Sequence, residues 1–242
     1  MLRNIGYVAK RELGAYFNSV VAYIVVILFL VITGALFWLN YFQQLNTLTL
    51  RSFFNQAPLF LAFFAPAITM GLFAEERRLG TLELLMTMPL SDFEIVMGKF
   101  LAAMGLLAVV FATTLAYPIT LSQVGAMMNA DLDWGAVASG YIGLMLLGGA
   151  YSAIGLMASS WTRDQVVAIL VSFSICFFFY LIDQLVGQPT GAAARVVDYL
   201  STASHFENLA RGVVDFRDVF YYLSIMGVAL LTTQVTISAR RW

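Results

Sequence analysis

Residues 75–99 read EERRLGTLELLMTMPLSDFEIVMGK, a charged stretch set between two runs that carry no charged residue. The preceding run covers residues 52–74, and the following run covers residues 100–130. Each run is long enough to cross a bilayer, because a membrane helix needs about 20 apolar residues. We therefore expect two membrane helices joined by a charged loop at one membrane surface.

The order of residues in this loop predicts a structured element rather than a plain connector. Gly80 can adopt the left-handed conformation that ends a helix, and Thr81 is placed to cap a short helix over residues 82–88. Ser91 and Glu94 match the S-x-x-E capping box that begins a helix. The loop is therefore expected to run as helix, turn, short helix, turn and helix.

One face of the short helix is apolar, since Leu82, Leu85 and Met86 recur at helical spacing. Two interpretations of this face stay open. It docks on another protein, or it rests on the membrane surface.

The composition extends the membrane assignment to the whole chain. Of the 242 residues, 61% are hydrophobic and 11% are charged, whereas an average soluble domain is about 25% charged. Charge-free runs recur along the chain and predict an all-α polytopic membrane protein with six transmembrane helices. The expected spans are residues 20–39, 57–73, 100–124, 135–158, 166–186 and 220–238.

The distribution of Lys and Arg predicts the orientation of these spans. Basic residues concentrate on the cytoplasmic side of bacterial membrane proteins. One side of this chain carries Arg3, Lys10, Arg11, Arg77, Arg78, Lys99, Arg163, Arg240 and Arg241. The other side carries Arg51, Arg195, Arg211 and Arg217. Both termini are therefore expected to face the cytoplasm.

The N-terminal segment, residues 1–18, has the pattern of an amphipathic interfacial helix. Leu2, Ile5 and Leu13 recur at helical spacing, whereas Arg3 and Lys10 fall on another face. The helix is either a membrane anchor or a lever that contacts a cytoplasmic partner.

Residues 187–218 are expected to form an outer helical segment before the last span. Ser204 and Glu207 match a second capping box, and Gly212 is placed to end that helix. His205 is interpreted as a polar residue of the capped helix. A metal site there would need Glu207 or Asp198 as a partner, without a second histidine.

Several functions are excluded by the residues present. The net charge of −1 gives no basic field for nucleic acid. One cysteine and one histidine supply neither a metal cluster nor a catalytic set. Gly98-Lys99 resembles the end of a phosphate loop, but Phe93 and Phe100 stand where the motif needs Gly and Ser or Thr. We therefore expect no catalytic residues, metal or cofactor in this chain.

The loop also carries a motif that resembles a known family. A-E-E-R-R-L-G-T-L-E-L-L at residues 74–85, then M-P-L-S at 88–91 and G-K at 98–99, resembles the loop after the second span of ABC-2 type permeases. The resemblance covers residues 1–242 as one transmembrane domain. Residues 66–70, 159–162 and 205–215 further resemble the gliding-motility-associated subgroup, although gliding in this organism does not follow.

The resemblance implies an ATP-driven transporter in which residues 1–18 and the coupling loop, residues 75–98, contact a separate ABC ATPase that binds ATP and Mg. It also implies a second permease subunit in a homodimer, an extracytoplasmic companion protein and a place in the bacterial inner membrane. The residues that it places at the ATPase contact are Arg3, Lys10, Arg11, Glu75, Glu76, Arg77, Arg78, Thr81, Leu82, Glu83 and Leu85.

Two other functions are weighed against transport by such a permease. In the first, the chain is a mechanotransmission scaffold that passes ATPase motion to an outer protein and moves no substrate. In the second, it is an ion-coupled carrier that depends on Asp183, a charged residue inside an expected span.

Overall fold

The computed structural model describes residues 2–43, 50–127, 132–185 and 199–239. The chain forms a bundle of α-helices within these ranges. They are α1 (Leu2–Phe17), α2 (Val20–Gln43), α3 (Arg51–Thr69), α4 (Gly71–Leu79), α5 (Thr81–Thr87), α6 (Asp92–Thr114), α7 (Ala116–Met127), α8 (Trp134–Trp161), α9 (Gln165–Leu185), α10 (Thr202–Ala210) and α11 (Phe216–Ser238).

Six helical stretches in the described residues are long and apolar enough to cross a membrane. They fall where the charge-free runs predict them, so the all-α polytopic fold is confirmed. Two of the stretches are interrupted near a proline. The second divides into α3 and α4 at Met70, four residues after Pro66, and the third divides into α6 and α7 at Leu115, three residues before Pro118.

Helix α8 lies at the centre of the bundle. In an 18-residue apolar stretch of this helix 78% of the residues are buried, against 17% in the corresponding stretches of α2 and of α9. Small residues let its neighbours approach closely: a methyl group built on Gly155 would lie 1.9 Å from Oγ1 of Thr69, and one on Gly149 would lie 2.7 Å from Met226. The small residues of this span therefore serve close helix packing.

Helix α1 has the predicted bounds, but its buried face contacts α6 of the same chain. Ile5 and Val8 are buried. A methyl group built on Gly98 would lie 2.5 Å from Cγ1 of Val8, and one on Gly105 would lie 3.4 Å from Leu13. Because later residues of α1 meet later residues of α6, the two helices run side by side in the same direction. Helix α1 therefore packs against a span of its own bundle as well as carrying an exposed basic face.

The outer segment is described from residue 199 onward, and residues 187–198 lie outside the described part. Ser201 caps α10, since its side chain accepts a hydrogen bond from the backbone N–H of Ser204. The predicted capping box of Ser204 and Glu207 is therefore wrong, because the helix already begins at Thr202. Gly212 has φ of 93°, the left-handed conformation expected just after this helix.

Candidate functional site

The charged loop folds largely as its sequence predicts. Gly80 has φ of 71° and ends α4, and Ser91 and Glu94 form a complete capping box at the start of α6. The prediction for Thr81 is wrong, because the left-handed Gly80 occupies the N-cap position and Thr81 is already the first residue of α5. The Thr81 hydroxyl instead donates to the carbonyl oxygen of Glu76 at 3.4 Å.

The apolar face of α5 is turned into the protein. Leu82 and Leu85 are 7% and 4% exposed and belong to the hydrophobic core. Neither side chain is available to dock on a partner or to rest on the membrane. Among the described side chains of this helix, those of Thr81, Glu83 and Thr87 are exposed, and the side chain of Met86 lies outside the described part.

A buried lysine joins three elements at the end of the bundle that is predicted to face the cytoplasm, which we call the cytoplasmic side. Lys99 of α6 is fully buried, and its Nζ lies 2.7 Å from Oε1 of Glu76 in α4 and 3.3 Å from Oε1 of Glu12 in α1. The ring of Phe73 lies 5.2 Å from the same Nζ, in a cation–π contact. We call Lys99, Glu76 and Glu12 the ion cluster.

The ion cluster couples the positions of α1, α4 and α6 to one another. A buried ammonium group is stable only when it is paired and hydrogen-bonded, and removing a partner leaves an uncompensated charge. Displacing α1 or α4 from α6 would therefore expose the Lys99 ammonium group to solvent or leave it buried without one of its carboxylate partners. Asn4 adds a second tie between α1 and α6, since its Nδ2 donates to Oε1 of Glu94 at 3.1 Å.

The end of α8, together with the second cytoplasmic loop that follows it at residues 162–164, fixes the start and the end of α4. Oγ of Ser159 accepts from the backbone N–H groups of Phe73 and Ala74 and donates to the carbonyl oxygen of Met70 at 2.7 Å. Arg77 Nη1 donates to the carbonyl oxygens of Ser160 and Thr162 at the end of α8. Arg77 is therefore held within this chain.

The remaining charged residues named for the ATPase contact lie at or near the surface. Arg3, Lys10, Arg11, Glu75, Arg78 and Glu83 are exposed. Arg78 lies 4.0 Å from Glu75, and Arg11 lies 4.0 Å from Glu12. An exposed pair such as Arg78–Glu75 contributes about 0–1 kcal/mol to stability, so these two side chains can exchange their partners readily.

The sequence interpretation assigned no role in this site to Glu12, Asn4 or Ser159. It used Lys99 for the orientation, for the family motif and for the rejected phosphate loop, but did not predict its ion pairs. One signal was available for Lys99, because a lysine that opens a long apolar run must find a counterion or reach water. No comparable signal marks Ser159, a small polar residue in the last turn of α8.

On the outer side, polar contacts hold α10 against the spans. Nδ1 of His205 lies 2.6 Å from Oδ1 of Asp218, which is buried at the start of α11. Tyr151 of α8 hydrogen-bonds Thr202 at 2.7 Å. In the described part of the chain, no group of three or more His, Cys, Asp or Glu side chains is arranged to hold a metal ion.

Comparison with known proteins agrees with this architecture. A family model described as ABC-2 family transporter protein matches residues 40–237. The chain therefore belongs to the ABC-2 family and is the membrane-spanning permease of an ABC transporter, a subunit that is not itself catalytic. The family implies an ABC ATPase as its partner. No curated protein matches the sequence.

Proposed function

We propose that this permease couples ATP hydrolysis on a separate ATPase subunit to movement of a substrate across the bacterial inner membrane. The observation that carries the proposal is the ion cluster, in which Lys99, Glu76 and Glu12 hold α1, α4 and α6 together. A push on the cytoplasmic ends of α1 or α4 is thereby passed to α6, which forms the first part of the third span.

The exposed side chains near this cluster supply a contact surface for the ATPase. On α1 these are Arg3, Tyr7 and Lys10, and at α5 and just after it they are Glu83 and Met88. Charges of both signs around exposed aromatic and apolar groups are typical of protein interfaces. Leu82 and Leu85 support this surface from within the core.

The proposed assembly contains two copies of the permease and an extracytoplasmic companion protein, as the resemblance to the gliding-motility-associated subgroup implies. A single bundle centred on α8 is filled by its own side chains, with α8 mostly buried. Two bundles are therefore needed to enclose a path between them. ATP and Mg bind to the ATPase subunits.

Transmission of motion without transport is a second candidate, supported by the outer helix. Helix α10 is tied to α11 by His205 and Asp218 and to α8 by Thr202 and Tyr151. Movement of the spans would therefore reach the outer surface, where a companion protein would bind. An ATP-dependent change in the fluorescence of a label at the exposed Val213, without any substrate, supports this candidate; a constant signal excludes it.

Replacing Glu83 with Ala tests the ATPase contact. Because Glu83 is exposed and α5 is held by other residues, the variant is expected to fold and to bind the ATPase about tenfold more weakly. Binding is measured with purified subunits by microscale thermophoresis. Arg163→Ala, an exposed change in the second cytoplasmic loop, is the matched control and keeps wild-type affinity. Wild-type affinity in the Glu83 variant contradicts this placement of the contact.

A further inference from the structure

A cleft opens on the cytoplasmic side between α1–α2 and α3–α4. Its volume is about 580 Å³, and the first residues of α5 and α9 complete its walls. Tyr16 lies beside it and donates a hydrogen bond from its hydroxyl to the carbonyl oxygen of Ile68 at 2.9 Å. Burial raises the pKa of the Tyr16 phenol, so this group stays protonated and keeps α1 and α3 joined at the cleft.

The two ends of the cleft differ in polarity. Arg11, Glu75 and Arg78 line the cytoplasmic end, and their side chains are half-exposed or more. Val25, Ala67 and Ile68 line the other end. Val25 follows the first residue of α2 by five positions, or about 8 Å along the helix axis, so this end reaches apolar membrane depth. The cleft is therefore charged where it meets water and apolar where it meets lipid.

One carboxylate oxygen in the cleft lacks a partner. Glu76 uses Oε1 to bind Lys99, whereas its Oε2 is buried and has no hydrogen-bond partner among the described residues. Gly71 keeps the neighbouring space open, because a methyl group built there would lie 3.4 Å from Oε2 of Glu75 and 3.5 Å from Nε2 of Gln165. The cleft is thus lined by two guanidinium groups and three carboxylates, with space left beside Gly71.

We propose that this cleft binds one zwitterionic phospholipid of the cytoplasmic leaflet, with a primary ammonium in its headgroup. The lipid phosphate lies between Arg11 and Arg78, since guanidinium groups bind phosphate oxygens well. The ammonium lies against the half-exposed carboxylate of Glu75. An acyl chain follows Val25 and Ile68 toward the bilayer.

The charges around the cleft favour this lipid over an anionic one. Glu12, Glu75 and Glu76 line the cleft together with Arg11 and Arg78, while Lys99 neutralises one carboxylate from behind. A headgroup with phosphate alone would leave Glu75 without a new counterion and would place like charges close together. A headgroup with both signs matches both kinds of side chain.

This proposal needs only that the cleft face the cytoplasmic leaflet, and it does not depend on the ATPase contact. Glu83, which tests that contact, does not line the cleft. The experiments can therefore show that the ATPase contact is wrong while lipid binding holds, or the reverse.

Native mass spectrometry of the full chain in mild detergent tests the proposal directly. Dioleoyl phosphatidylethanolamine and dioleoyl phosphatidylglycerol are titrated separately, since they share acyl chains and differ in headgroup. The wild-type protein is expected to bind one phosphatidylethanolamine about tenfold more tightly than phosphatidylglycerol. Equal affinity for the two lipids, or tighter binding of phosphatidylglycerol, overturns the proposal.

Two variants assign the binding to the cleft. Glu75→Gln/Arg78→Gln removes one charge of each sign from half-exposed positions and is expected to abolish the headgroup preference. Gly71→Leu fills the cleft and is expected to weaken the binding of both lipids. Arg163→Gln, outside the cleft on the same side, keeps the wild-type preference. A thermal unfolding curve shows that each variant is folded, and an unchanged preference in the folded double variant refutes the site.

Discussion

At the scale of single residues, Lys99 best explains how the cytoplasmic side is held together. Its ammonium group is fully buried between Glu76 and Glu12, which come from different helices. The sequence shows a lysine at the start of an apolar run, and that pattern predicts a need for a counterion. The sequence pattern does not predict which acidic residues on the cytoplasmic side pair with Lys99, because the pairing depends on how three helices pack.

Replacing Lys99 with Met is expected to destabilise the protein by about 3–5 kcal/mol, because Glu12 and Glu76 are then left in the interior without their cation. The triple variant Glu12→Gln/Glu76→Gln/Lys99→Met removes all three charges and is expected to recover most of the loss. Thermal unfolding in detergent measures both. A triple variant no more stable than the single variant argues against a charge-based role for the cluster.

At the scale of elements, local signals predict helix ends well where one residue decides them. The left-handed Gly80 and the Ser91–Glu94 capping box are where the sequence places them. The caps assigned to Thr81 and Ser204 fail because an adjacent residue, Gly80 or Ser201, already begins each helix. A capping pattern therefore shows that a helix starts nearby, while the neighbouring residues decide which position is the cap.

The sequence could not predict the contact between α1 and α6. Amphipathic spacing identifies the helix and its apolar face, but a membrane surface and a neighbouring helix satisfy that face equally well. The structure resolves the choice through Gly98, whose lack of a side chain lets Val8 approach. The fit between the Val8 side chain and Gly98, 90 positions apart, cannot be detected from the local spacing of apolar residues.

Gly98→Ala is expected to destabilise this contact by about 1–3 kcal/mol, because the added methyl group would lie 2.5 Å from Cγ1 and 2.6 Å from Cβ of Val8. The double variant Gly98→Ala/Val8→Gly removes the clash and is expected to restore part of the loss. Gly14→Ala serves as control, since nothing lies within 4 Å of that position. Protease cleavage after α1 and thermal unfolding report the effect. Equal stability of Gly98→Ala and Gly14→Ala would contradict the close contact.

At the scale of the whole molecule, charge-free runs suffice to predict six spans, but not their arrangement. The central position of α8 follows from the close approach of Thr69 and Met226 to its glycines, and small residues alone do not say which helix will fill the space. Asp183, the residue on which an ion-coupled carrier would depend, belongs to α9, with its side chain outside the described part. The family match and the cytoplasmic ion cluster instead favour a permease driven from outside its own chain.

Purification of the tagged protein from its native membrane, in mild detergent, tests that account most directly. We expect an ABC ATPase to co-purify in nearly equal amount with the permease, and Glu83→Ala to reduce its share while leaving the permease folded. A permease that purifies without an ATPase and remains active in liposomes without ATP would contradict the account.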